Sequence, residues 1–144
     1  MKNILVAIDF EEGFDLLIDT ASEFASVFGA RLWLMHIAAP DPDFVGYEPG
    51  PQYIRDSRAD ELRDEHKKLQ EYSDTLNAKG LDAEGLLIQG ATTEMIMEES
   101  KKLKTDMIIC GDHDRGFFYR AFAGDVTSRI IKRSKIPVLV VPLG

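Results

Sequence analysis

The 144 residues carry 17 Lys and Arg against 25 Asp and Glu, a formal net charge of −8, and 44% of them are hydrophobic. That length and apolar content suffice for one packed domain, residues 1–144, and exclude an intrinsically disordered chain. The acidic balance argues against nucleic acid and anionic membrane as partners, because phosphate surfaces attract basic patches.

Ile4 to Ile8 is a continuous apolar run, the pattern of a strand buried on both faces. Leu16, Leu17, Thr20, Ala21, Phe24 and Phe28 then recur at helical spacing, ending near Gly29. A second strand follows from Leu32 to Ile37. The segment from Pro40 to Pro51 holds four of the six prolines and reads as a long loop, expected to reach over the site as a lid. Leu62, Leu69, Tyr72 and Leu76 mark one face of a long charged helix stopped by Gly80. Leu86-Leu87-Ile88 reads as a short strand. Thr92 or Thr93 can cap the next helix, with Ile96 and Leu103 facing inward. Met107 to Cys110 is the fourth strand and Val138 to Val141 the fifth. Between them a helix carries Val126, Ile130 and Ile131, with Lys132, Arg133 and Lys135 at its carboxyl end.

Strands alternating with amphipathic helices predict an α/β fold, a doubly wound five-stranded parallel sheet with right-handed crossovers. Ligands of such sheets lie beyond the carboxyl ends of the strands, where strand order reverses. That switch point is expected between the first and fourth strands, next to Asp9 and Gly111. No stretch approaches the roughly 20 apolar residues of a membrane helix, and the run from Ile4 to Ile8 is too short for a signal peptide. One cysteine, Cys110, excludes an intrachain disulfide and offers no metal cluster. The cytoplasm is the expected compartment.

Several of these segments resemble the universal stress protein family over essentially the whole chain. Ile4-Leu5-Val6-Ala7-Ile8-Asp9 looks like its first strand and aspartate, Leu34-Met35-His36-Ile37 like its second strand, and Gln89-Gly90 like the end of its third. The most diagnostic part runs from Asp106 to Gly111 and on to Ile136-Pro137-Val138-Leu139-Val140-Val141. ATP-binding members carry there a Gly, two residues, a second Gly, nine residues, then Gly followed by Ser or Thr. Here Gly111 and Gly124 match the first and third glycines, Asp114 replaces the second, and Asp125 replaces the hydroxyl residue; Thr127 still supplies a hydroxyl. The resemblance implies strand order 3-2-1-4-5 in a Rossmann-like fold, and a nucleotide site formed by Ala7, Ile8, Asp9, Ile37, Gly90, Gly111, His113, Gly124, Asp125 and Thr127. It also implies a homodimer through Val138, Leu139, Val140 and Val141, with protein partners possible in addition.

Glycines at such a loop let backbone N–H groups reach phosphate, and a following helix N-terminus adds partial positive charge. Asp114 and Asp125 oppose this. Asp9, Glu11, Glu12 and Asp15 follow the first strand, and Asp112 joins the acids after the fourth, against only His113, Arg115 and Arg120. Two like charges at 4 Å cost roughly 4 kcal/mol at an effective dielectric of 20. ATP affinity is therefore expected to be weak or lost, while the nucleoside side of the site that the resemblance implies leaves an adenosine or AMP-like ligand open. The main reading is a non-enzymatic stress-response protein that acts by binding as a homodimer. The alternatives are an ATP or AMP switch using Mg²⁺ held between carboxylates and phosphates, and an enzyme on the same scaffold. Asp9 could equally cap the loop into the first helix. His113 is expected to face solvent, and His36 and Cys110 to lie in the core. Phe117, Phe118 and Tyr119 read as a loop cluster or a contact surface. No catalytic triad or metal-binding spacing appears, so no catalytic residue and no metal ligand is assigned.

Overall fold

The computed structural model describes residues 1–38, 52–113 and 126–143. Within them the elements are β1 (Asn3–Ile8), α1 (Phe14–Phe28), β2 (Arg31–Ala38), α2 (Gln52–Ala78), β3 (Asp82–Gln89), α3 (Thr92–Lys102), β4 (Met107–Asp112), α4 (Val126–Arg133) and β5 (Val138–Pro142). The strands form one sheet in the order β3-β2-β1-β4-β5, and every neighbouring pair is parallel. The expected fold and order hold, with the switch point between β1 and β4.

β1 is central and its side chains divide by parity. Ile4, Val6 and Ile8 pack with Leu17, Ile18, Ala21 and Ala25 of α1 and with Leu69 and Leu76 of α2. Leu5 points the other way, with Met35, Ile108 and Cys110, onto Ile96 of α3 and Ile130 of α4. Both faces of the sheet are covered, which is why β1 and the start of β4 read as unbroken apolar runs. Gly29 ends α1 in the left-handed conformation (φ 65°), as its position in the sequence suggests.

Two local expectations are corrected. β3 has eight residues rather than three, because an edge strand need not be apolar along its length: Arg31 of β2 pairs with Glu84 at 2.7 Å and with Asp82 at 3.5 Å. The long charged helix expected between Pro51 and Gly80 is α2, whose 27 residues start at Gln52. Neither Thr92 nor Thr93 caps α3. Ala91 takes the N-cap position without a side-chain hydrogen bond, and Thr93 is buried with its hydroxyl unpaired.

α2 lies close on β3 because Gly85 has no side chain there: a Cβ would fall 2.9 Å from Cβ of Leu69. The Tyr72 hydroxyl of α2 donates to Asp15 of α1 at 3.0 Å. Partial burial and this carboxylate raise the Tyr72 pKa above its ordinary value. At the opposite end of the sheet, Asp106 accepts the Lys2 and Asn3 N–H groups at 2.7 and 2.9 Å. The expected lid between Pro40 and Pro51 lies outside the described residues, as do Asp114, Arg115, Phe117, Phe118, Tyr119, Arg120, Gly124 and Asp125.

Candidate functional site

Parallel pairing brings the carboxyl ends of β1, β2 and β4 to one edge: Ile8 lies beside His36, and Ala7 beside both Met35 and Cys110. There the crossovers leave on opposite faces, and a cavity of about 220 Å³ opens between them. Ala7, Ile8, Asp9, Ile37, Gly111 and Thr127 all line it. Gly90 does not. It follows β3 with φ 151°, and its N–H donates to the Ala38 carbonyl at 3.1 Å. Gly124 and Asp125 lie outside the described residues.

The floor is apolar, with Met35, Ile96, Cys110 and Ile130, and the first turn of α4 contributes Val126 and Thr127. Gly111 lets the chain end fold over β4, because a Cβ there would overlap the Leu143 side chain at 2.3 Å. The lining among the described residues holds the carboxylates of Asp9 and Glu11 and the imidazole of His36, but no Lys or Arg.

After β1 the chain turns sharply. Phe10 adopts a left-handed conformation (φ 59°), uncommon for a residue with a side chain, and Asp9 Oδ1 accepts the Glu11 N–H at 3.0 Å. Asp9 therefore organises this turn and does not cap α1, whose N-cap is Gly13 (φ 89°). The turn aims Asp9 and Glu11 toward the residue that follows β4, His113.

The expectation of a solvent-facing His113 is overturned. Its side chain is only 15% exposed, and Nε2 lies 3.4 Å from Asp9 Oδ2 and 3.6 Å from Glu11 Oε2. Their donor atoms lie within 4.8 Å of one another, a grouping that could hold a metal ion, although no spacing in the sequence suggests it. The contact joins segments about a hundred residues apart, and only the adjacency of β1 and β4 creates it.

His36 is likewise more than a core residue. Its Nδ1 donates to the Ile8 carbonyl at 2.7 Å, and Nε2 lies 3.3 Å from Glu65 Oε2 on α2. The ring also packs against Phe10, with centroids 4.9 Å apart. His36 thus ties the β1 turn, β2 and α2 together beside the cavity. A histidine closing an apolar strand was the available signal. Cys110 is buried as expected.

Comparison with known proteins agrees with this architecture. Universal stress protein C of Escherichia coli strain K12 is 30% identical over 144 residues, spanning 99% of this chain and 96% of that protein. Among solved structures, a universal stress protein in complex with cAMP superposes with a TM-score of 0.75 at 20% identity, covering 99% of this chain and 98% of that one. A family protein from Arabidopsis thaliana with AMP bound gives a TM-score of 0.68 at 16% identity, covering 100% of this chain and 93% of that one. The sequence model of the universal stress protein family matches residues 1–142. On that match, and on a parallel sheet with its cavity at the β1–β4 switch point, the chain belongs to the universal stress protein family.

Proposed function

We propose that this protein acts by binding an adenine nucleoside or AMP-like ligand in the switch-point cavity, with ATP affinity weak or lost. It works as a cytoplasmic homodimer in the stress response and carries out no catalysis. The observation that carries this reading is the convergence of Ala7, Ile8, Asp9, Ile37, Gly111 and Thr127 on one cavity. The related structures with cAMP and AMP support the ligand class.

Charge supports the weak ATP affinity. The amino end of α4 favours one anionic group, but Asp9 and Glu11 stand at the same mouth and the described lining supplies no Lys or Arg to offset a polyphosphate. Asp114 and Asp125 add two acids where the ATP-binding motif has a glycine and a hydroxyl residue. Cytoplasmic action fits the single thiol, and among the described residues no helix is long and apolar enough to cross a membrane.

Isothermal titration of the wild type with AMP and with Mg-ATP tests the proposal, alongside the double variant Asp114→Gly, Asp125→Ser. AMP should bind the wild type, ATP should bind it much more weakly, and the double variant should gain ATP affinity. Tight stoichiometric ATP binding by the wild type, unchanged in the double variant, overturns it.

A further inference from the structure

We infer that Asp9, Glu11 and His113 form a binding site for one divalent transition-metal ion of the zinc type, at the mouth of the cavity and independent of any nucleotide. The three side chains come from two segments that the sheet forces together. Asp9 and Glu11 sit on the turn leaving β1, and His113 is the first residue beyond β4.

Direct hydrogen bonding does not account for the arrangement. The His113 Nε2 atom is buried and has no hydrogen-bond partner, and its separations of 3.4 and 3.6 Å from the two carboxylate oxygens exceed a normal N–H···O contact. The same separations are what a shared ion produces. In a tetrahedral site with bonds of about 2.1 Å, neighbouring donor atoms stand roughly 3.4 Å apart. An ion placed among the three would give the buried nitrogen a partner.

The donor set selects the ion. Mg²⁺ and Ca²⁺ prefer oxygen ligands in larger coordination shells, so an imidazole nitrogen is a poor choice for them. One imidazole and two carboxylates suit Zn²⁺ or Co²⁺. Three protein donors leave a fourth position open, and with the Asp9 and Glu11 side chains 50% and 42% exposed that position is accessible to water.

The test uses the full chain, stripped of metal by chelation and freed of nucleotide, titrated calorimetrically with Zn²⁺ and spectroscopically with Co²⁺. One ion should bind per chain, Co²⁺ should give the intense visible bands of a tetrahedral site, and excess Mg²⁺ should displace neither. His113→Ala and Asp9→Asn should each weaken Zn²⁺ binding by more than about 100-fold, beyond the usual effect of altering a supporting residue. Both variants should keep the wild-type circular dichroism. His66→Asn, on the exposed side of α2, should bind as the wild type does. Absence of stoichiometric binding overturns the assignment, as does Zn²⁺ affinity that His113→Ala leaves unchanged or that depends on His66. Because nucleotide is absent throughout, these results do not depend on whether AMP binds.

Discussion

The Thr127 hydroxyl donates to the Gly111 carbonyl at 2.9 Å, tying the first turn of α4 to the end of β4. Thr127 is 9% exposed, so its hydroxyl is held in this contact rather than by solvent. The threonine that stands in for the family's hydroxyl residue is thus fixed by the fold, with its proton directed away from any phosphate. Thr127→Val keeps the shape and removes the donor. It should lower stability by about 1–3 kcal/mol in urea denaturation, whereas Thr127→Ser, which keeps the hydroxyl donor, should lose much less.

Gly85 and Leu69 set the spacing between β3 and α2. A Cβ at position 85 would meet Leu69 Cβ at 2.9 Å and Leu69 O and Ser73 Oγ at 3.2 Å. The first two belong to the helix frame and cannot swing aside, so α2 must back away. Gly85→Ala should cost about 1–3 kcal/mol, read as a lower urea midpoint.

Asp106 gives a pH dependence of definite sign. The Lys2 and Asn3 N–H groups hold its carboxyl below the usual carboxylate range. A group whose folded pKa is depressed stabilises the fold above its unfolded pKa, and the contribution fades as pH falls through the folded value. Asp106→Asn should therefore lower the melting temperature at pH 7. The gap from wild type should close as pH drops below about 4. A gap independent of pH would show that the carboxylate charge is irrelevant to the contact.

The proposed dimer can be tested without disturbing the monomer. Pro137 O accepts from Ile108 N, and Leu143 N donates to Asp112 O, so odd-numbered residues of β5 face β4. Val138, Val140 and Pro142 therefore direct their backbone groups outward at the sheet edge, where a second β5 could pair about a two-fold axis. Leu139 and Val141 pack on the α1 side and Val138 and Val140 on the α3 side. Val140→Pro removes one outward donor and no β4–β5 hydrogen bond. Sedimentation at micromolar concentration should show a wild-type dimer and a largely monomeric, folded variant. A monomeric wild type would refute the dimer.

Strands covered on both faces were legible in the sequence, because burial alone writes an unbroken apolar run: Ile4 to Ile8, Leu32 to Ile37 and Met107 to Cys110 all appear as read. Half of β3 was not, since an edge strand can place Asp82 and Glu84 in solvent. Cavity residues whose position follows from the ends of buried strands, such as Asp9, Ile37 and Gly111, were found. The inward turn of His113 and the reach of His36 to Glu65 depend on which strands and helices are neighbours. Residue types carry no trace of that until the sheet order is known.

The floor of the cavity carries one further consequence. Cys110, the only cysteine in the chain, lines the cavity yet is 3% exposed. A thiol reagent must enter that cavity to reach the sulfur. The protein therefore contains a built-in gauge of occupancy: the rate at which that thiol is modified measures how often the cavity is open and empty, without any engineered label.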